Sequence, residues 1–295
     1  MATEGYVQAP GGRVWYRIVG EGRAESMPLL LLHGGPGFTS EYLDSLEALS
    51  DERPVVRYDQ LGCGRSDRPD DPSLWNVARF VEELGDVRRE LGLERVHILG
   101  QSWGSMLAVD YMLTRPEGVA SLILASPPLS IPRWVDDTQK LLDELGPDVR
   151  HALEWHEKEG FTGCPEYQAA VLEVYRNYLC RMHPWPLALE RALAGASFEV
   201  YNAMWGPNEF SVTGCLADYE RSDRLGEIDL PTLLTCGRYD EATPEATALF
   251  QSLIPGSRMV VFEESAHLSH LEEADKYVVL VRDFLGSVEA AAAPS

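Results

Sequence analysis

Residues 96–112 read VHILGQSWGSMLAVDYM, and the fold turns on them. Val96 to Leu99 is a largely apolar run of strand length, interrupted only by His97, while the segment from Trp103 onward has helical length and stops before Pro116, whose ring and missing N–H break a helix. Between the two lies Gly100-Gln101-Ser102-Trp103-Gly104. A G-x-S-x-G turn carries meaning only where it joins a strand to a helix, as it does here. Such a turn lifts the Ser102 side chain out at the carboxyl end of the strand. Glycines two before and two after the serine are required because strand and helix almost touch.

Working outward, short Val/Ile/Leu runs at 14–19, 29–32, 55–58 and 121–125 alternate with helix-period segments. Nearly continuous apolar runs are what a strand shows when helices cover both faces of its sheet. Val77, Phe80, Val81, Leu84, Val87 and Leu91 recur at steps of three and four, the stripe of a helix that packs on that sheet. The expectation is an α/β fold with a mostly parallel central sheet. From Pro127 to Gly226 the strand signal disappears, and aromatic and aliphatic residues fall at helical spacing between turn punctuators such as Gly146-Pro147 and Gly206-Pro207. Strands resume at 232–236 and 258–262, followed by a closing helix near 274–285. The division expected is a core in two parts (1–126 and 227–290), a helical cap inserted between them (127–226), and a disordered tail (291–295).

A serine hydroxyl is a weak nucleophile at neutral pH and needs a base beside it. His267 follows the last strand in VVFEESAHLSH and is the expected base; His270, its neighbour, reads as a partly exposed cap of the final helix. The imidazolium formed during attack needs a buried carboxylate to orient and offset it. Asp240, in GRYDE just past the strand TLLTC, stands at the right strand end. Asp59 precedes the nucleophile and reads as the anchor of its own glycine-rich loop. The resulting order Ser102, Asp240, His267 is that of the α/β hydrolases. His33-Gly34-Gly35-Pro36-Gly37, after LLLL, supplies a loop whose backbone can approach an oxyanion, with the N–H of Trp103 as the second donor.

The chain has 295 residues, with 25 basic against 47 acidic side chains and a formal charge of -22. That balance repels polyanions and argues against a nucleic-acid partner. Five scattered cysteines lack the paired spacing of a zinc site or redox motif and fit a reducing cytoplasm. No basic start followed by an apolar segment is present, and no run of membrane-spanning length, so no membrane partner is expected.

Taken together and in order, HGGPG, DQLGCGRSD, GQSWGS, GRYDEATP and SAHLSHLEE resemble the proline iminopeptidase family, and are similar to the amino-acid amidases and tricorn-interacting aminopeptidases within it. The likeness spans residues 28–285. It implies an α/β-hydrolase fold with a helical cap, and release of an amino-terminal residue, often proline, or hydrolysis of an amino-acid amide. It implies Gly35 as the loop's oxyanion donor. Glu209, in GPNEF, and Glu241, directly after the triad aspartate, are implied as the carboxylates that hold a substrate's free α-amino group. An ammonium in an apolar site needs such opposite charge to offset its desolvation. Gly34, Phe38, Trp205 and Tyr239 are candidates for the pocket wall, and Gln101 departs from the glycine frequent in relatives.

The expected reaction is therefore serine-hydrolase cleavage of an amide next to a free amino group, on a small molecule or short peptide, without a metal or organic cofactor. The alternative keeps the triad and moves the chemistry to esters, thioesters or a biosynthetic tailoring step. A binding protein without turnover, the third possibility, usually loses a triad member or the donor loop, and this chain keeps both.

Overall fold

The computed structural model describes residues 2–22 and 26–292. Eight strands form one sheet: β1 (Ala2–Ala9), β2 (Gly12–Val19), β3 (Leu29–Leu32), β4 (Val55–Tyr58), β5 (Val96–Gln101), β6 (Val119–Ala125), β7 (Thr232–Gly237) and β8 (Arg258–Phe262). Their spatial order is β1-β2-β4-β3-β5-β6-β7-β8. The first two pairings, β1 with β2 and β2 with β4, are antiparallel, and every later one is parallel.

Leu29-Leu30-Leu31-Leu32 illustrates why the central strands read as unbroken apolar runs. Successive side chains of a strand face opposite sides. Leu30 and Leu32 enter the core on one face with Phe80, Leu84, Val87 and Met106, while Leu29 and Leu31 enter the core on the other with Leu43, Leu46, Tyr277 and Val281. Helices α1 (Val77–Glu90) and α2 (Trp103–Met112) cover the first face, and the 3₁₀ segment Ser40–Asp51 belongs to the second. The Asn76 side chain caps α1 by accepting the Arg79 N–H.

Between β6 and β7 run α3 (Ile131–Glu144), α4 (Pro147–Glu159), α5 (Pro165–Val174), α6 (Leu187–Ala194) and α7 (Phe198–Met204). Leu142, Leu153, Tyr167, Val174, Tyr178 and Phe210 form a separate apolar cluster there. After β7 come α8 (Pro244–Leu253), the short α9 (Ser269–Glu272) and α10 (Ala274–Ala292). Among the described residues, no helix is long and apolar enough to cross a membrane.

The structure departs from the sequence reading at both ends. Strand β1 gives little apolar signal because it is the sheet's edge, with most of its residues exposed and only Val7 and Ala9 buried, and it is held by the hairpin to β2. The closing helix runs on to Ala292, so the first two residues of the expected disordered tail are helical; residues 293–295 lie outside the described ones.

Strand β3 lies between β4 and β5, so the chain winds outward in both directions from it. Open parallel sheets bind ligands at the carboxyl ends of strands where the winding reverses. The loops after β3 and β5 leave from that place.

Candidate active site

Ser102 sits where β5 becomes α2, at φ 55 and ψ -124, a region that side chains other than glycine rarely adopt. Surrounding bonds fix it there: its N–H donates to the Ala125 carbonyl at 2.9 Å, and its own carbonyl accepts the Ser105 hydroxyl at 2.6 Å. The glycines of the motif are explained by contact. A Cβ on Gly100 would overlap the Gly104 carbonyl, and a Cβ on Gly104 would overlap the Leu32 carbonyl.

Asp240, buried just beyond β7, accepts from three directions: the Gly237 N–H at 3.2 Å, the Ala242 N–H at 2.7 Å and Nδ1 of His267 at 2.7 Å. Since Nδ1 gives its proton to Asp240, Nε2 is the nitrogen left to act as a base. The loop carrying His267 is tied down on every side. Glu272 accepts the Ala266 N–H at 2.9 Å, Glu273 accepts the Ser265 hydroxyl at 2.7 Å, and the His267 N–H donates to the Tyr178 carbonyl at 3.2 Å. Burial opposes charge on the ring, but Asp240 foremost, then Glu209 and Glu272, lift its pKa above the usual imidazole value.

Ser102 and His267 line one cavity, together with Gly35, Phe38 and Glu209. Ser102 Oγ makes no hydrogen bond to the imidazole in this conformation; such bonds commonly tighten only when substrate is present.

Gly35 has φ 114, which explains glycine at that place. Its orientation follows from His33. Nε2 of His33 accepts the Gln60 N–H at 2.9 Å, so Nδ1 carries the proton and donates to the Gly34 carbonyl at 2.9 Å. Because the peptide is planar and trans, the Gly35 N–H points away from that carbonyl. Among the described residues, neither the Gly35 nor the Trp103 N–H finds an acceptor in the protein, so both donors are free for a ligand.

Two buried carboxylates lie near His267, Glu209 in the lining of the Ser102 cavity and Glu241 in the lining of neighbouring clefts under the insertion. Glu209 lines the cavity, and its backbone carbonyl accepts the indole N–H of Trp134 at 2.7 Å. Its loop is braced by Glu157 of α4, which accepts from Asn208 at 2.7 Å and from Ser211 at 2.8 Å. Glu241 is 2% exposed, lies 4.0 Å from Nδ1 of His267, and its Oε1 has no hydrogen-bond partner. Burial, then the neighbouring Glu209 and Asp240 charges, push the Glu241 pKa well above the carboxylate range. Burial raises Glu209 as well, against the opposing pull of His267. Two acids crowded without a cation form a site for one.

The other candidates divide. Phe38 lines the cavity and stacks on Tyr201 at 5.7 Å. Gly34 lies behind the wall, its N–H bonded to the Tyr42 hydroxyl at 2.6 Å. Trp205 is buried edge-on against Trp134, which itself stands edge-on to His267, so Trp205 backs the wall without forming it. Tyr239 is turned outward: it is 40% exposed, with the Arg181 guanidinium 3.7 Å above its ring. His270 is not a partly exposed cap but buried, bonding the Tyr42 carbonyl at 3.1 Å, and burial lowers its pKa to about 3. Asp59 holds Arg65 in its own loop and ties that loop to Ser40, at the start of the 3₁₀ segment Ser40–Asp51. Tyr42, Gln101, Leu179, Leu189 and Leu268 also line the cavity, and no local pattern in the sequence marks them. Among the described residues, no group of three or more His, Cys, Asp or Glu could hold a metal ion.

A strained serine at a strand–helix turn, a histidine held by a buried aspartate, and two free N–H groups define an α/β hydrolase of the serine type. The family model for the alpha/beta hydrolase fold matches residues 27–154. A proline iminopeptidase of Heyndrickxia coagulans is 45% identical over 289 residues, covering 98% of this chain and all of that one. The chain belongs to the proline iminopeptidase family and is a hydrolase of the aminopeptidase type. Among solved structures, the proline iminopeptidase of Mycobacterium smegmatis superposes with a TM-score of 0.92 at 36% identity, covering 99% of this chain and 100% of that one. The structure of VinJ superposes with a TM-score of 0.94 at 37% identity, covering 97% and 99%.

Proposed function

We propose that this enzyme releases an unblocked amino-terminal residue, proline foremost, from short peptides, and hydrolyses the corresponding amides. Ser102 attacks the carbonyl carbon while Nε2 of His267 takes the hydroxyl proton, and Asp240 offsets the imidazolium. The N–H groups of Gly35 and Trp103 meet the oxyanion. As the C–N bond breaks, His267 returns the proton to the leaving amine; water, activated by the same base, then releases the acyl group from Ser102. No metal or organic cofactor enters this scheme.

The observation that carries the reading is the pair Glu209 and Glu241, buried beside the imidazole with one carboxylate oxygen unpartnered. A substrate ammonium supplies the missing positive charge and fixes the scissile bond one residue from the chain start. Residues 127–226 act as a cap that contributes Glu209 to a core formed by residues 1–126 and 227–290. Five free cysteines suit work in a reducing cytoplasm. The preference for proline follows the names of the relatives.

The test compares prolyl arylamide with its N-acetyl form on the wild-type enzyme and on Ser102→Ala. The expected result is rapid turnover of the free amine, little of the blocked one, and none by the variant. Equal rates on both substrates refute the ammonium site, and full turnover by Ser102→Ala refutes the nucleophile.

A further inference from the structure

Gln101, between Gly100 and the serine, and Tyr42, on the 3₁₀ segment Ser40–Asp51, are both 2% exposed. They form a directed chain of hydrogen bonds. The Gly34 N–H donates to the Tyr42 hydroxyl at 2.6 Å, the hydroxyl donates to Oε1 of Gln101 at 2.5 Å, and Nε2 of Gln101 donates to the His267 carbonyl at 3.3 Å. The tyrosine is used once as acceptor and once as donor. Its backbone carbonyl is held in turn by His270 at 3.1 Å, from the far side of the base loop.

The ends of this chain are the residue before Gly35 and the residue that bears the base. Three loops, after β3, β5 and β8, are thus joined beside the cavity by two side chains that supply no reacting atom in the scheme above. The space is closely matched: a Cβ on Gly34 would meet Oε1 of Gln101 at 2.8 Å. Glutamine suits this position because one planar group accepts on one side and donates on the other. A phenylalanine at 42 would leave the buried Gly34 N–H without its acceptor.

We propose that Tyr42 and Gln101 are positioning residues that set the Gly35 N–H and the His267 imidazole in register across Ser102. The inference rests on reading Ser102 and His267 as nucleophile and base. Oxyanion stabilisation is realised in the transition state, so a loss of register lowers kcat and leaves substrate affinity in place.

The experiment measures kcat and KM for prolyl arylamide in Tyr42→Phe, Gln101→Met and the double variant, with melting curves to establish that each is folded. Each single change should lower kcat by about 10- to 100-fold, the order expected when a catalytic group is misplaced by about 1 Å. KM should stay within about twofold. Because both changes break the same chain, the double variant should fall no further than the weaker single one. Losses that multiply in the double variant, or a raised KM at unchanged kcat, overturn the proposal; the latter makes these residues substrate contacts. If one single variant fails to fold, the other decides through the same kcat-against-KM comparison. Ser102→Ala separates the two levels: turnover surviving in it removes the underlying reading, whereas turnover lost in it but intact in Tyr42→Phe removes this inference alone.

Discussion

Replacing Glu241 by glutamine keeps the shape of the side chain and removes the negative charge that a bound ammonium stabilises on it. The carboxylate is 2% exposed, with Oε1 unpartnered and Glu209 and Asp240 as electrostatic neighbours. An ammonium bound there makes a charge-assisted hydrogen bond worth about 1.5–3 kcal/mol. At about 1.4 kcal/mol per tenfold, its loss lowers kcat/KM for an unblocked substrate by roughly 10- to 150-fold. An N-acetylated substrate has no ammonium to lose, so its already low rate should stay level or rise. The assay is steady-state hydrolysis of prolyl arylamide and acetylprolyl arylamide by both forms of the enzyme, and the decisive quantity is the ratio of the two kcat/KM values. Equal loss on both substrates would mean that Glu241 acts on the triad through its 4.0 Å approach to His267, and the assignment to amine recognition would fall.

Labelling of Ser102 by a fluorophosphonate requires the neutral imidazole, whose pKa is raised by Asp240 and Glu209 against burial. The rate should therefore climb with pH through a midpoint above the ordinary value of about 6.5, and Glu209→Gln should move that midpoint down; an unmoved midpoint contradicts the coupling. Asp240→Asn should lower kcat by about 10⁴-fold with KM little changed, because the amide cannot hold the Nδ1 proton as the carboxylate does; a loss under tenfold would make the aspartate dispensable. Gly104→Ala forces a methyl into the Leu32 carbonyl and should cost about 1–3 kcal/mol or more in urea unfolding, or prevent folding. Gly286→Ala, in an exposed turn of α10 with open space around it, should instead stabilise by about 0.5–1 kcal/mol, and a destabilised Gly286→Ala would show that the helix is not as described.

Much of the fold is legible because burial on both faces leaves a plain mark. Leu29–Leu32 and Val55–Tyr58, buried throughout, occupy the spans read from sequence. Strand β1 escaped because, at the sheet's edge with Thr3, Glu4 and Gln8 exposed, it buries only Val7 and Ala9, too short an alternation to stand out. In the site, Asp240 and His267 could be found since each follows a strand directly, and strand ends are where such a sheet presents its chemistry. The cavity lining is different. Leu179 and Leu189 come from the helical insertion, where spacing reveals a helix but not what it faces. Tyr239, beside the aspartate in sequence, turns to solvent under Arg181, and His270, three residues from the base, turns into the core toward Tyr42. Proximity along the chain says little about direction within a loop.

Asp240 and Glu241 are consecutive, so one short turn after β7 serves the reaction step and the choice of substrate at once. Any remodelling of that turn disturbs both together. Glu209 hangs from a separate loop braced by Glu157, Asn208 and Ser211, far along the chain from the triad. For engineers seeking to broaden the range of amines accepted, that loop is the better handle: it can be rebuilt without touching the turn that carries Asp240, as long as the charge at 209 that lifts the His267 pKa is kept.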